Sequence, residues 1–133
     1  MRNEFKLIIT LFVLLFTSSM LSQPYVRFDK QPPTQIVQKT KVVEGFFIEY
    51  NVPTNGYLYL ALSRDNASIG NCVLPVKRGK RKVFCSIFIW DEKTLKVKGD
   101  YKYTLDIWKG AKDSFREKMV PQVVFDNVEV TRN

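Results

Sequence analysis

Strict alternation of apolar and polar side chains most constrains the fold of this chain. Segment 45–52, GFFIEYNV, puts Phe46, Ile48, Tyr50 and Val52 on one side of an extended backbone and Phe47, Glu49 and Asn51 on the other. Segment 55–63, NGYLYLALS, opens on an Asn-Gly turn and sets Leu58, Leu60 and Leu62 against Tyr57, Tyr59 and Ala61. KVFCSIFIW (82–90), DYKYTLDIW (100–108) and NVEVT (127–131) are further runs of this kind. A period of two places successive side chains on opposite faces of a strand. Such runs, rich in β-branched and aromatic residues and separated by Pro, Gly, Asn and Asp, read as strands. No stretch holds a long 3.6-residue apolar period, and KDSFREKM (112–119) is at most one short helical turn in a loop. The expected fold is all-β, a single antiparallel β-sandwich of about seven strands.

A chain of 133 residues is one domain at most. Its first 22 residues read as a secretory signal peptide rather than as part of that domain. Arg2 and Lys6 form the charged start, residues 7–16 are apolar apart from Thr10, and residues 17–22 are mostly small and polar. The apolar run is too short to cross a bilayer. Cleavage is expected after Ser22, leaving Gln23 first, or after Ser19, because Met20 fits poorly three residues before a cut. No cysteine lies beside the cleavage region to carry a lipid anchor, and no second apolar run follows. The reading is therefore of a protein secreted, periplasmic or held at the cell surface, without a transmembrane anchor. Residues 23–34 form an extended leader and residues 35–133 the sandwich.

The only two cysteines flank a strongly basic stretch, NCVLPVKRGKRKVFC (71–85). An exported chain passes into an oxidising compartment, where such a pair is most simply one disulfide. A metal site needs more ligands than a chain without histidine supplies. A two-residue turn at Arg78-Gly79 would pair Lys77 with Lys80, Val76 with Arg81, Leu74 with Val83 and Cys72 with Cys85. The two cysteines then fall on a non-hydrogen-bonded pair, with Cα atoms about 4.5 Å apart, a separation a disulfide accepts. Pro75 would fall on a hydrogen-bonded position and cannot donate there, so a bulge or an irregular strand is the alternative.

The same register sorts the side chains. Cys72, Leu74, Val76, Val83, Cys85, Ile87 and Ile89 form a core face; Val73, Lys77, Lys80, Lys82, Phe84, Phe88 and Trp90 form the other. Large aromatics beside lysines on a solvent face permit two readings. Either they are a platform on which sugar rings stack, or a neighbouring loop or the Gln23–Lys30 part of the leader covers them. The tip cations Lys77, Arg78, Lys80, Arg81 and Lys82 are likewise either an anion-attracting patch or a solvated hairpin tip that discourages edge aggregation. Without Arg2, Lys6 and Glu4 the mature chain keeps 19 basic and 12 acidic residues. A net charge near +7 favours anionic partners such as acidic polysaccharides and cell-surface polymers; export makes nucleic acid an unexpected one.

Catalysis has little to work with. The absence of histidine removes Ser-His and Cys-His dyads. The acids Asp91, Glu92, Asp126 and Glu129 sit at strand ends, where solvated carboxylates are ordinary, and no phosphate loop or metal-ligand spacing is present. No cofactor or enzymatic activity is expected. Tyr101 and Tyr103 after Gly99-Asp100 read instead as a tyrosine-corner packing element.

VVEGFFIEYNVPTNGYLYLAL, VLPVKRGKRKVFCSIFI, KGDYKYTLDIW and FDNVEVT together resemble the immunoglobulin/fibronectin-III-like accessory β-sandwiches attached to secreted bacterial polysaccharide hydrolases. The matching positions are Tyr50, Val76, Gly79, Gly99, Asp100, Tyr101, Trp108, Asn127, Val128 and Val130, within residues 35–131. The cysteine pair and the absence of an attached enzyme depart from that pattern. The resemblance implies an immunoglobulin-like sandwich and a connection to glycans. Three roles are compatible with the sequence. The expected one is an exported, non-catalytic module for acidic polysaccharide or a cell-surface glycan; the others are a structural or protein-interaction sandwich and a small basic inhibitor or antimicrobial protein.

Overall fold

The alternating runs become strands of one curled, mixed sheet. The computed structural model describes residues 23–111 and 114–132; the expected signal peptide, residues 1–22, lies outside them. The strands are β1 (Tyr25–Phe28), β2 (Gln35–Val37), β3 (Val42–Val52), β4 (Gly56–Arg64), β5 (Ala67–Val76), β6 (Gly79–Ile89), β7 (Tyr101–Ala111), β8 (Ser114–Lys118) and β9 (Val123–Thr131). The only helical turn among the described residues is a 3-10 turn at Glu92–Thr94. No helix among them is long and apolar enough to cross a membrane.

The strand order is β1-β3-β6-β5-β4-β7-β9-β2, with β8 added beside β7. All pairings are antiparallel except β2 with β9, which is parallel. The sheet is therefore mixed, where an antiparallel arrangement was expected, and has nine strands among the described residues where about seven were expected. Two of the additions are short strands without a readable period. Gln35–Val37 is three residues long, and Ser114–Lys118 lies in the segment expected as a loop with a helical turn. Within residues 23–34, Tyr25–Phe28 joins the sheet at the edge of β3.

The curl hinges on β5 and β6. Their ladder consists of Gly70 opposite Ile89 and Asn71 opposite Phe88; beyond it β5 follows β4 and β6 follows β3. Gly70 permits this joint, because a Cβ there would lie 2.6 Å from the Phe88 carbonyl oxygen and 3.0 Å from an Ile87 methyl. Gly70→Ala is expected to destabilise the protein by about 1–3 kcal/mol, the usual effect of forcing an extra carbon into a packed site. Its urea midpoint should fall below that of a surface Ala variant such as Ser68→Ala.

The expected disulfide is absent. Cys72 and Cys85 are free thiols, and the expected Cys72–Cys85 ladder pair does not exist. The hairpin pairs two positions out of the expected register and then opens, so the cysteines sit on strands that have diverged. A slip of two leaves every side chain on its own face. Val76, Cys85, Ile87 and Ile89 are buried, and Cys72, Leu74 and Val83 pack against the core. The two thiols still influence each other: Cys85 lowers the Cys72 thiol to about 7, while Cys72 and burial push Cys85 up.

The core lies inside the curl. Phe46 and Tyr103 meet edge to face with centroids 4.9 Å apart. Phe28 of β1 reaches Phe125 of β9 at 6.3 Å, bringing one end of the sheet against the strand next to the other end. A bulge between Val43 and Phe46, with Gly45 at φ 105°, lets both of those residues point inward despite their odd spacing. Tyr101 forms the expected corner. Its hydroxyl accepts the Lys96 N–H at 2.7 Å and lies 3.0 Å from the carbonyl oxygens of Thr94 and Lys96.

Candidate functional site

The outward face of β3 and β6 follows from their register. Asn51 opposes Lys80, Glu49 opposes Lys82, Phe47 opposes Phe84, and past the bulge Val42 opposes Phe88. Phe84, Phe88 and Trp90 are 54%, 67% and 57% exposed. Among the described residues neither a loop nor the leader covers them. The leader instead places Lys30 Nζ 4.5 Å over the ring of Phe47, which packs on Phe84 with centroids 5.1 Å apart. At the far end Val42, Ile89, Phe88, Trp90 and Lys41 line an open cleft of about 390 Å³. Trp90 is anchored there by its backbone N–H, which donates to the Ile69 carbonyl at 3.1 Å.

The structure does not gather the eight expected binding residues into one site. A strand rises about 3.3 Å per residue, so the tip around Lys77 and Arg78 lies roughly 35–45 Å along the strand direction from Phe88 and Trp90. The tip itself is firmly built. The Lys77 N–H donates to the buried Tyr50 hydroxyl at 3.3 Å, the Arg78 N–H donates to Asn55 Oδ1 at 2.9 Å, and Gly79 turns at φ 107°. Two of its cations are neutralised: Lys80 Nζ is 3.6 Å from Glu49 Oε1, and Lys82 Nζ is 3.5 Å from Asp29 Oδ2. Glu49, almost wholly buried on this outward face, also pairs with Arg27. Lys77, Arg78 and Arg81 are exposed and make no ion pair with the described residues.

Several contributors escaped sequence reading. Val42, Phe47 and Lys30 extend the aromatic strip, and Lys41 stands beside Phe88 and Trp90. All come from segments about 40–60 residues earlier in the chain, so only strand pairing brings them together. The sequence matches no protein-family model, and no curated protein shows significant similarity to it.

Proposed function

We propose that this protein is an exported, non-catalytic binding module that takes an acidic polysaccharide or anionic cell-surface glycan on the outward face of β3 and β6. One observation carries the reading: three large aromatic side chains stand more than half exposed on one strand and its end, among lysines. Exposed apolar patches of this kind mark interaction surfaces, and rings edged by cations suit sugar rings bearing carboxylate or sulfate. The fold is best understood as an immunoglobulin-like sandwich, β1-β3-β6 packed over β5-β4-β7-β9. The two-pair joint between β5 and β6, the Tyr101 corner and the Phe46–Tyr103 contact support that arrangement. In an oxidising compartment Cys72 and Cys85 join as a disulfide.

The test is retention on immobilised polygalacturonate and dextran sulfate, with plain dextran as control, across a salt series. Stacking that covers about 60 Å² of ring, roughly a third of what an aromatic side chain can bury, contributes roughly 1.5 kcal/mol, or about tenfold in affinity. Trp90→Ala is expected to lower retention by that amount at every salt concentration, since ring burial is little affected by screening. Phe88→Ala should act in the same direction. Parent-like retention of both variants would remove the reading.

A second reading, a protein-interaction sandwich, rests on the open side of the hairpin. Residues 79–85 of β6 pair with β3 on one side and have no ladder partner among the described residues on the other, which is the geometry for adding a foreign strand. In that case a captured partner should slow hydrogen exchange of β6 amides, and bound glycan should not.

A further inference from the structure

On the proposed glycan surface Lys80 and Lys82 are already paired, and the unpaired cations of the hairpin tip are distant from the exposed Phe88 and Trp90. Other cations are near. Lys39, Lys41, Lys93 and Lys96, with Gln38 and Leu95, line a cleft of about 570 Å³. Lys41 also lines the aromatic cleft beside Phe88 and Trp90, so the two clefts adjoin at that residue, one lined by rings and the other by four lysines. Each cleft has the volume of a small-ligand site.

The groove is held by its backbone. Gln38 N–H donates to the Thr131 carbonyl at 2.8 Å, and its side-chain amide donates to the Leu95 carbonyl at 3.3 Å. The Lys41 carbonyl accepts the Ile89 N–H at 2.9 Å. Opposite, Leu95 is buried, and the Tyr101 hydroxyl holds the Lys96 N–H. Two segments more than 50 residues apart in sequence are thus fixed facing each other, each presenting lysines. Lys39 adds a second sign. It sits at φ 72°, stabilised by a turn in which the Thr40 N–H and hydroxyl both donate to the Val37 carbonyl, at 3.1 and 2.5 Å. Left-handed backbone is unfavourable for a lysine and ordinary for glycine or asparagine; such residues gather at binding sites. None of the four lysines forms an ion pair with the described residues, in contrast to Lys80 and Lys82.

We infer that Lys39, Lys41, Lys93 and Lys96 are the anion-selecting subsite of this protein: they take the carboxylate or sulfate groups of an acidic oligosaccharide whose sugar rings lie on Phe88 and Trp90. This rests on the glycan-binding reading and relocates its charge recognition from the hairpin tip to the groove. Lysines rather than arginines line the cleft, so recognition is by point charges and not by a bidentate fork.

The experiment compares two variants of the full exported chain on the polygalacturonate and dextran sulfate matrices. One carries Lys39→Gln, Lys41→Gln, Lys93→Gln and Lys96→Gln; the other carries Lys77→Gln, Arg78→Gln and Arg81→Gln. All are surface changes, for which melting temperatures near that of the parent are expected. The groove variant should bind about tenfold more weakly at low salt, the sum of several exposed charge contacts, and lose most of its salt dependence. The tip variant should shift less than about twofold. Stronger parental retention on polygalacturonate assigns the natural charge as carboxylate; stronger retention on dextran sulfate assigns it as sulfate. Equal losses from both variants, or a larger loss from the tip variant, would overturn the groove assignment while leaving the glycan-binding reading intact. A parent retained on neither matrix would overturn both.

Discussion

Phe46→Ala is expected to destabilise the protein by about 3–5 kcal/mol, the range for deleting a fully enclosed phenyl group. Phe46 has no solvent exposure and meets Tyr103 edge to face across the curl. Its loss therefore removes both buried ring area and an aromatic pair joining β3 to β7. With a urea slope of about 2 kcal/mol/M for a domain of this size, the midpoint should fall by about 2 M. The neighbouring Phe47→Ala supplies the contrast. Phe47 is 38% exposed on the outward face, so its loss should cost about 1 kcal/mol or less and, under the proposed function, act mainly on glycan retention. Two adjacent phenylalanines with opposite consequences test the inside–outside alternation of β3 directly. Equal losses of stability would mean that the bulge at Gly45 does not set the faces as described.

That alternation is why much of the fold was legible. Faces depend on parity, and parity survived the main error. The β5–β6 hairpin pairs two residues away from the expected register, yet Cys85, Ile87 and Ile89 still point inward and Phe84 and Phe88 outward. The Tyr101 corner was legible because its hydrogen bonds reach only five to seven residues back along the chain. What failed to show depends on contacts that no local pattern encodes. Whether a hairpin stays closed or splits its strands between β4 and β3 is decided by which neighbour buries more of each strand. The parallel pairing of β2 with β9 joins residues almost 100 positions apart. The groove lysines were invisible for the same reason: Lys39 and Lys41 look like an ordinary polar turn until Leu95 and Lys96 are placed opposite them. The basic run at 77–82 was conspicuous because its charges are contiguous. Contiguity made it a convex tip, with two of its cations already occupied by Glu49 and Asp29.

The cysteine pair should form a disulfide on exposure to an oxidant and raise the melting temperature by roughly 10–15 °C. The expectation comes from placement rather than from hairpin register. Cys72 and Cys85 sit where β5 and β6 part, and both pack with the core. A bond there would tie the β4–β5 side of the sheet to the β3–β6 side where the hairpin opens. Closing a loop of this length is worth about 3 kcal/mol in the chain-entropy account, which for a domain of this size is about 4 °C per kcal/mol. The chemistry also sets an order of events. Cys85 lowers the Cys72 thiol to about 7, so Cys72 is the nucleophile near neutral pH. Its thiolate attacks oxidised glutathione and displaces one glutathione thiolate. Cys85 then gives up its proton and attacks the mixed disulfide, releasing the second, with two hydrogens lost from the protein overall. The rate of the first step should climb as pH rises to about 7 and then flatten, whereas an ordinary thiol continues to gain toward pH 8.5. Intact mass after alkylation, with and without prior reduction, counts the thiols, and a pH series with oxidised glutathione follows the first step. Two alkylatable thiols surviving that treatment, or an oxidised protein melting with the reduced one, would show that the cysteines are only packing residues and that the open side of the hairpin is held by the core alone.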